Sequence, residues 1–188
     1  MEDNFMNETL KLIESRRSHR AYTNEQITVD QRAALLKAAV ESPSAVNRQP
    51  WHFTLVQNKA LLDQINAYCV ENARKKPDAS PRFAQEDYHV FYNAPTVIFI
   101  SGPKNTVFAP IDCGIAVQTL ALAAESMGLG SVILGMPREA FMSEHGDEVR
   151  AALGFPEGHD FIIAIAIGHP ADTKDAHPVE EGKCHIIE

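Results

Sequence analysis

The sequence predicts an α+β fold. Helical and strand-like stretches alternate without the regular spacing of βαβ units. Two short apolar runs, residues 96–101 and 161–168, are bounded by Pro or Gly and read as buried strands. Between them, residues 112–127 form a long helix with Ile115, Leu120 and Leu122 among alanines. It looks buried nearly all round, as a core or subunit-interface helix would be.

The first element is a helix that Asn7 can cap, with Leu10, Ile13 and either Phe5 or Met6 on one face. Thr28 and Gln31 have the spacing of a capping box. The helix they open carries Leu35, Leu36, Ala39 and Val40 as its apolar stripe and must stop before Pro43. Residues 51–56 are strand-like, and Asn58 begins a helix carrying Leu61, Leu62, Ile65 and Tyr68. Residues 75–81, polar and proline-bearing, read as a mobile surface loop. A short helix is expected through Tyr88–Tyr92, before the strand at 96–101.

Gly128-Leu129-Gly130 ends the long helix, residues 131–134 make a strand, and two short helices fill about 138–153 before Gly154. After the last strand, residues 169–188 are a polar tail without a core of its own. No repeat or linker divides the chain, and 188 residues suit one domain. Residues 1–188 are therefore expected to form a single domain, with the tail wrapping another surface, that of a partner subunit.

Bulk composition narrows the function. No apolar run approaches the roughly 20 residues of a membrane span. The start, Met1-Glu2-Asp3-Asn4, is acidic, unlike a secretory leader. Cys69, Cys113 and Cys184 are odd in number and widely spaced, which argues for a reducing, cytoplasmic setting with neither a disulfide framework nor a zinc site. A net charge of −8 argues against nucleic acid or an anionic membrane as partner. Any anionic ligand must then meet a local basic cluster.

Lys11, Arg16, Arg17, His19 and Arg20 supply one, with Ser18 between the arginines. Guanidinium forks suit bidentate contact with phosphate, and the hydroxyl adds a neutral donor. Equally, cations at a helix C-terminus complement its dipole and can simply be solvated. A second notable segment is Ser42-Pro43-Ser44-Ala45-Val46-Asn47-Arg48-Gln49-Pro50-Trp51-His52-Phe53. Two prolines stiffen it, small Ser44 and Ala45 would let a flat ligand approach the backbone, and Asn47 and Gln49 suit the edge of a heterocycle. It also reads as an ordinary helix-to-strand connection anchored by Trp51 and Phe53.

Glu14-Ser15-Arg16-Arg17-Ser18-His19-Arg20-Ala21-Tyr22, followed by the segment from Ser42 to Trp51, resembles the nitroreductase family of FMN-dependent oxidoreductases. The likeness continues in order at Asn93-Ala94-Pro95, residues 112–127, Gly128-Leu129-Gly130-Ser131 and residues 163–170. Single pieces are weak; the ordered set is specific. The resemblance implies a central, mainly antiparallel sheet flanked by helices, in an interlocked homodimer with FMN at the interface. By motif, Arg16, Arg17, Ser18 and Arg20 would hold the phosphate and ribityl chain. Pro43, Ser44, Ala45 and Asn47 of the other subunit would line the isoalloxazine, and the backbone beside Leu134 and Gly135 would face flavin N5.

The implied chemistry is hydride transfer from NADH or NADPH through FMN to a nitroaromatic, quinone or related small-molecule acceptor, in a ping-pong cycle. No side chain is nominated as catalytic nucleophile or base, and no metal is expected. The acceptor pocket would fall to residues 75–87 and 106–110. No residue run marks a 2′-phosphate site, so NADH and NADPH are not distinguished. The tail departs from the family: Val179 and Glu180 stand near an expected basic pair, with Lys174, His177 or Lys183 as substitutes. That departure keeps open a flavin- or ligand-binding protein of the same fold with little turnover.

Weaker signals point elsewhere. Gly128-Leu129-Gly130 with Gly135 follows a helix and enters a strand, the reverse of a dinucleotide-binding turn. Cys113 reads as packing rather than as the nucleophile of a hydrolase. His169, His177, Cys184 and His185 lack the tight spacing of metal ligands. His52, beside Trp51, is as much a core or surface residue as a ring contact.

Overall fold

The two most apolar runs lie side by side at the centre of one sheet. In the computed structural model, which describes residues 6–188, the strands are β1 (His52–Val56), β2 (Thr96–Pro103), β3 (Gly130–Leu134) and β4 (His159–Gly168). Their order is β1-β2-β4-β3 and every pairing is antiparallel. A bulge falls where Ile100 opposes Ile163 but Ser101 opposes Phe161, leaving Ile162 unpaired.

Period-two alternation sends β2 and β4 side chains to two cores. Val97, Phe99, Phe161, Ala164 and Ala166 join a core completed by α3 (Lys59–Arg74), α5 (Arg138–Met142) and α6 (Gly146–Ala152). Phe99 lies there with Phe91, Phe141 and Phe161, at ring separations of 5.6, 6.4 and 6.5 Å. Ile98, Ile100, Ile165 and Ile167 join a second core beneath α2 (Val29–Val40) and α4 (Ala109–Ser126). Helices thus cover both faces, which is why the central strands are apolar over residues 97–100 and 161–168.

Caps fix the helix starts as expected. Asn7 accepts the Leu10 N–H at 3.0 Å to open α1 (Glu8–Ser15), and Asn58 accepts that of Leu61 at 3.2 Å to open α3. Thr28 and Gln31 close both bonds of the capping box. The α4 helix ends in a Schellman turn: Gly128, at φ +69°, donates to Glu125 O and Leu129 donates to Ala124 O.

Three expectations are corrected. Residues 88–92 form no helix but an irregular stretch and a turn at 90–93, because Tyr92 and Asn93 take positive φ of 54° and 53° and cannot continue one. The one-turn 3₁₀ helix in this region is earlier, at Pro81–Ala84. The α4 helix starts at Ala109, before the expected Asp112, and within one chain Ile111, Gly114, Ile115 and Gln118 form its exposed face. Val40 is exposed as well, so α2 buries only Leu35 and Ala39 completely. Phe5 lies outside the described residues; Met6, before α1, and Leu10 and Ile13 on it are exposed.

Candidate functional site

The basic segment leaves α1 and runs beside the edge strand β3. Ser18 forms a parallel bridge with Ser131, and the His19 N–H donates to Ser131 O at 3.0 Å. Gly130 makes this approach possible, since an added Cβ would stand 2.9 Å from Pro170 Cβ and 3.0 Å from the His19 ring. Tyr22 donates its hydroxyl to His19 O at 2.8 Å. Burial, helped by the Asp172 charge, raises that phenol well above its ordinary range.

The arginines are positioned through the backbone. Arg17 Nη1 donates to Glu14 O at 2.5 Å and Arg16 O at 3.0 Å, while its buried Nε has no partner. The Arg20 guanidinium stands 5.9 Å over the Tyr92 ring. Among the described residues only Arg150 of all arginines is in an ion pair. The charges of Arg16, Arg17 and Arg20 therefore remain available to an anion.

A residue not singled out from the sequence joins this cluster. Asp172 Oδ1 lies 2.7 Å from His19 Nδ1, and Oδ2 accepts the Arg20 N–H at 3.2 Å. Lys174 Nζ is 3.4 Å from the same carboxylate. Burial works to raise the Asp172 carboxyl, but the bonds from His19, Arg20 and Lys174 outweigh it and hold the group below the ordinary range. Of the tail cations considered, the structure brings Lys174 here. Lys183 pairs with Glu180 at 2.7 Å, and His177 Nδ1 faces its neighbour's carbonyl, Pro178 O, at 3.1 Å.

Along β3 from Ser131, four residues lead to Gly135, a rise of about 13 Å. Leu134 is buried and Gly135 exposed, and an added Cβ on Gly135 would meet no atom within 4 Å. One strand edge thus carries free cations at one end and open backbone at the other.

The loop after α2 is built differently. Its 3₁₀ turn, Ala45–Asn47, holds Val46 at φ 47°, ψ 32°, and Asn47 and Gln49 are also left-handed at 55° and 46°. A β-branched residue in that region is strained by roughly 1–2 kcal/mol. Besides the Arg48 N–H to Ala45 O bond of 3.2 Å that closes it, four bonds hold the turn. Ala45 N–H donates to Asp112 Oδ1 at 3.1 Å and Asn47 N–H to Ser44 O at 3.0 Å. Gln49 N–H reaches Ser44 Oγ at 2.9 Å, and Gln49 Nε2 reaches Asn47 Oδ1 at 3.0 Å. Val46 itself is 84% exposed and Pro43 and Asn47 project outward too.

The two halves sit at opposite ends of α4. Ser15 Oγ donates to Glu125 Oε1 at 2.9 Å at one end, and Asp112 holds Ala45 at the other. Asp112 and Glu125 are thirteen residues apart, about 20 Å along a helix. The structure therefore gathers Arg16, Arg17, Ser18 and Arg20 with β3, and gathers Pro43, Ser44, Ala45 and Asn47 elsewhere.

The remaining nucleophiles and candidate ligands do not assemble. Burial pushes the Cys69 and Cys113 thiols up to about 12. Among the described residues no group of His, Cys, Asp and Glu could hold a metal, and no helix is long and apolar enough to cross a membrane.

A family model described as the nitroreductase family matches residues 13–169. An Archaeoglobus fulgidus protein, provisionally named NADH dehydrogenase/NAD(P)H nitroreductase, is 34% identical, over 94% of this chain and 93% of its own. An FMN reductase [NAD(P)H] of Bacillus subtilis is 31% identical, over 92% of this chain and 70% of its own. The crystal structure of a Desulfitobacterium hafniense nitroreductase with bound FMN superposes with a TM-score of 0.93 at 36% identity. That match covers 98% of this chain and all of the other.

Proposed function

The chain belongs to the nitroreductase family, and from that premise we propose that it is an FMN-dependent oxidoreductase working as a cytoplasmic homodimer. When bound, FMN would supply hydride transfer from NADH or NADPH to a nitroaromatic, quinone or related acceptor. For a nitro group one turnover balances as NAD(P)H + H⁺ + R–NO₂ giving NAD(P)⁺ + R–NO + H₂O.

The observation that carries this reading is the β3 edge: uncommitted Arg16, Arg17 and Arg20 with Ser18 at one end, and open Gly135 about 13 Å along it. A phosphate would sit at the cationic end, where guanidinium donors make strong charge-assisted bonds. A planar ring would extend toward Leu134 and Gly135, whose backbone lies within reach because no side chain intervenes.

The dimer supplies what one chain lacks. Two copies related by a twofold axis, with their α4 helices antiparallel, would bring the 43–47 loop of one chain to the basic segment of the other. Exposed Ile111 and Ile115 on α4, and Leu10 and Ile13 on α1, provide apolar area for such an interface. Val179, Ile186 and Ile187 are more than 80% or about 80% exposed in the tail, consistent with residues 169–188 lying on a partner subunit around a single domain spanning 1–188.

The test is a visible spectrum of the purified protein before and after NADPH or NADH, then after a quinone. Flavin bands that bleach and return establish turnover. Retained bands that neither pyridine nucleotide bleaches would favour a flavin-binding protein without turnover, and failure to take up added FMN would remove the cofactor assignment.

A further inference from the structure

We propose that the cleft between Arg48 and Phe108 selects aromatic acceptors bearing a carboxylate, with Arg48 as the specificity-determining residue. The proposal rests on the reading that residues 43–47 line the flavin, because Arg48 directly follows that loop. The cleft measures about 590 Å³ and lies between Arg48 and Pro50 on one side and Pro103 to Asp112 on the other. That volume is in the range that small-molecule sites occupy.

Its walls define the ligand. Pro50, Pro103, Val107 and Phe108 are apolar, and Val107 and Phe108 are 78% and 54% exposed. A flat aromatic ring would bury both and gain an offset or edge contact with Phe108. Arg48 is an exposed cation with no carboxylate partner among the described residues. The one acid in the wall, Asp112, is 3% exposed and already accepts the Ala45 N–H. Thr106 is likewise committed, donating its hydroxyl to Pro103 O at 3.1 Å. With Asn105 as the other polar residue of the lining, a mainly apolar slot with one free planar cation fits a ring with one carboxylate, which a guanidinium grips with two parallel bonds.

Asp112 ties the cleft to the loop: it lines the cleft and holds Ala45 in place. A ring seated against Phe108 would therefore abut the segment assigned to the isoalloxazine.

The experiment compares 4-nitrobenzoate with its neutral isostere 4-nitrobenzamide, using the FMN-loaded protein and its Arg48→Gln and Arg48→Lys variants. In the wild type kcat/KM should favour the benzoate. Arg48→Gln should lower the benzoate-to-benzamide ratio about tenfold or more, and Arg48→Lys should lower it less. Calorimetric titration of benzoate should show binding to wild-type protein and its loss in Arg48→Gln. A ratio unmoved by Arg48→Gln would overturn the proposal, as would a rise in KM for NADPH alone, which would give Arg48 to the co-substrate. Flavin bleaching by NADPH, measured on the same samples, reports separately on the oxidoreductase reading.

Discussion

His19 Nδ1 and Asp172 Oδ1 lie 2.7 Å apart and join segments 153 residues distant in the chain. The contact pins the start of the tail to the basic segment, beside the Ala171 N–H to Ala21 O bond of 2.9 Å. Because the Asp172 carboxyl titrates below its ordinary range, the link is intact at neutral pH. It is lost as pH falls through that lowered value. Protection factors at the Ala171 and Arg20 amides, corrected for intrinsic exchange, should fall in Asp172→Asn at pH 7 and, in wild-type protein, only in acid. Equal protection in both proteins at pH 7 would mean the pair holds nothing.

Phe99 is fully buried at the centre of the aromatic core. Phe99→Ala should destabilise the fold by about 3–5 kcal/mol, read as a lowered midpoint in urea. A loss under 1 kcal/mol would show that the neighbouring rings close the cavity.

Thiol reactivity should separate sharply. Cys69 and Cys113 are buried, with their thiols pushed up to about 12, whereas Cys184 is exposed. Iodoacetamide at pH 8 should modify native protein once, at Cys184, and denatured protein three times. Native labelling at Cys113 would point to opening of α4.

Replacing Arg16 and Arg20 with Ala should weaken FMN binding by about 100-fold or more without unfolding the core. Circular dichroism and flavin titration report the two effects separately. Mixing an Arg16→Ala chain with an Asn47→Ala chain tests the shared site. Each mixed dimer should regain one sound site, about a quarter of wild-type sites after random exchange. No recovery would place both halves in one chain.

Val46 carries a left-handed backbone in the open. Val46→Asn should raise thermal stability by roughly 1 kcal/mol, since Asn tolerates that region better. If stability instead falls, the valine side chain is packed by something other than its own chain.

Much of this architecture was legible because local chemistry specified it. Asn7, Asn58 and the Thr28–Gln31 pair announced helix starts, and the apolar runs at 96–101 and 161–168 announced strands covered on both faces. Tyr88–Tyr92 looks helical in sequence because nothing in side-chain pattern reveals positive φ at Tyr92 and Asn93. In α4, side-chain pattern alone does not separate Ile111 and Ile115, exposed within one chain, from buried Cys113, Ala116 and Leu120. Asp172 could not be singled out: an acid in a polar tail carries no mark of the histidine it meets. The residues proposed to hold the cofactor stand out by motif order rather than spacing, since their two groups lie at opposite ends of one helix.

That helix acts as a ruler. Its length sets how far the basic segment stands from the 43–47 loop, and in a twofold pair the same length would gauge both sites at once. Each residue inserted into α4 would slide one end by about 1.5 Å and turn it by about 100° relative to the other. The loop at 104–108 lies outside that span, because it enters α4 before Ala109, so its length can change while the gauge between the two ends stays constant.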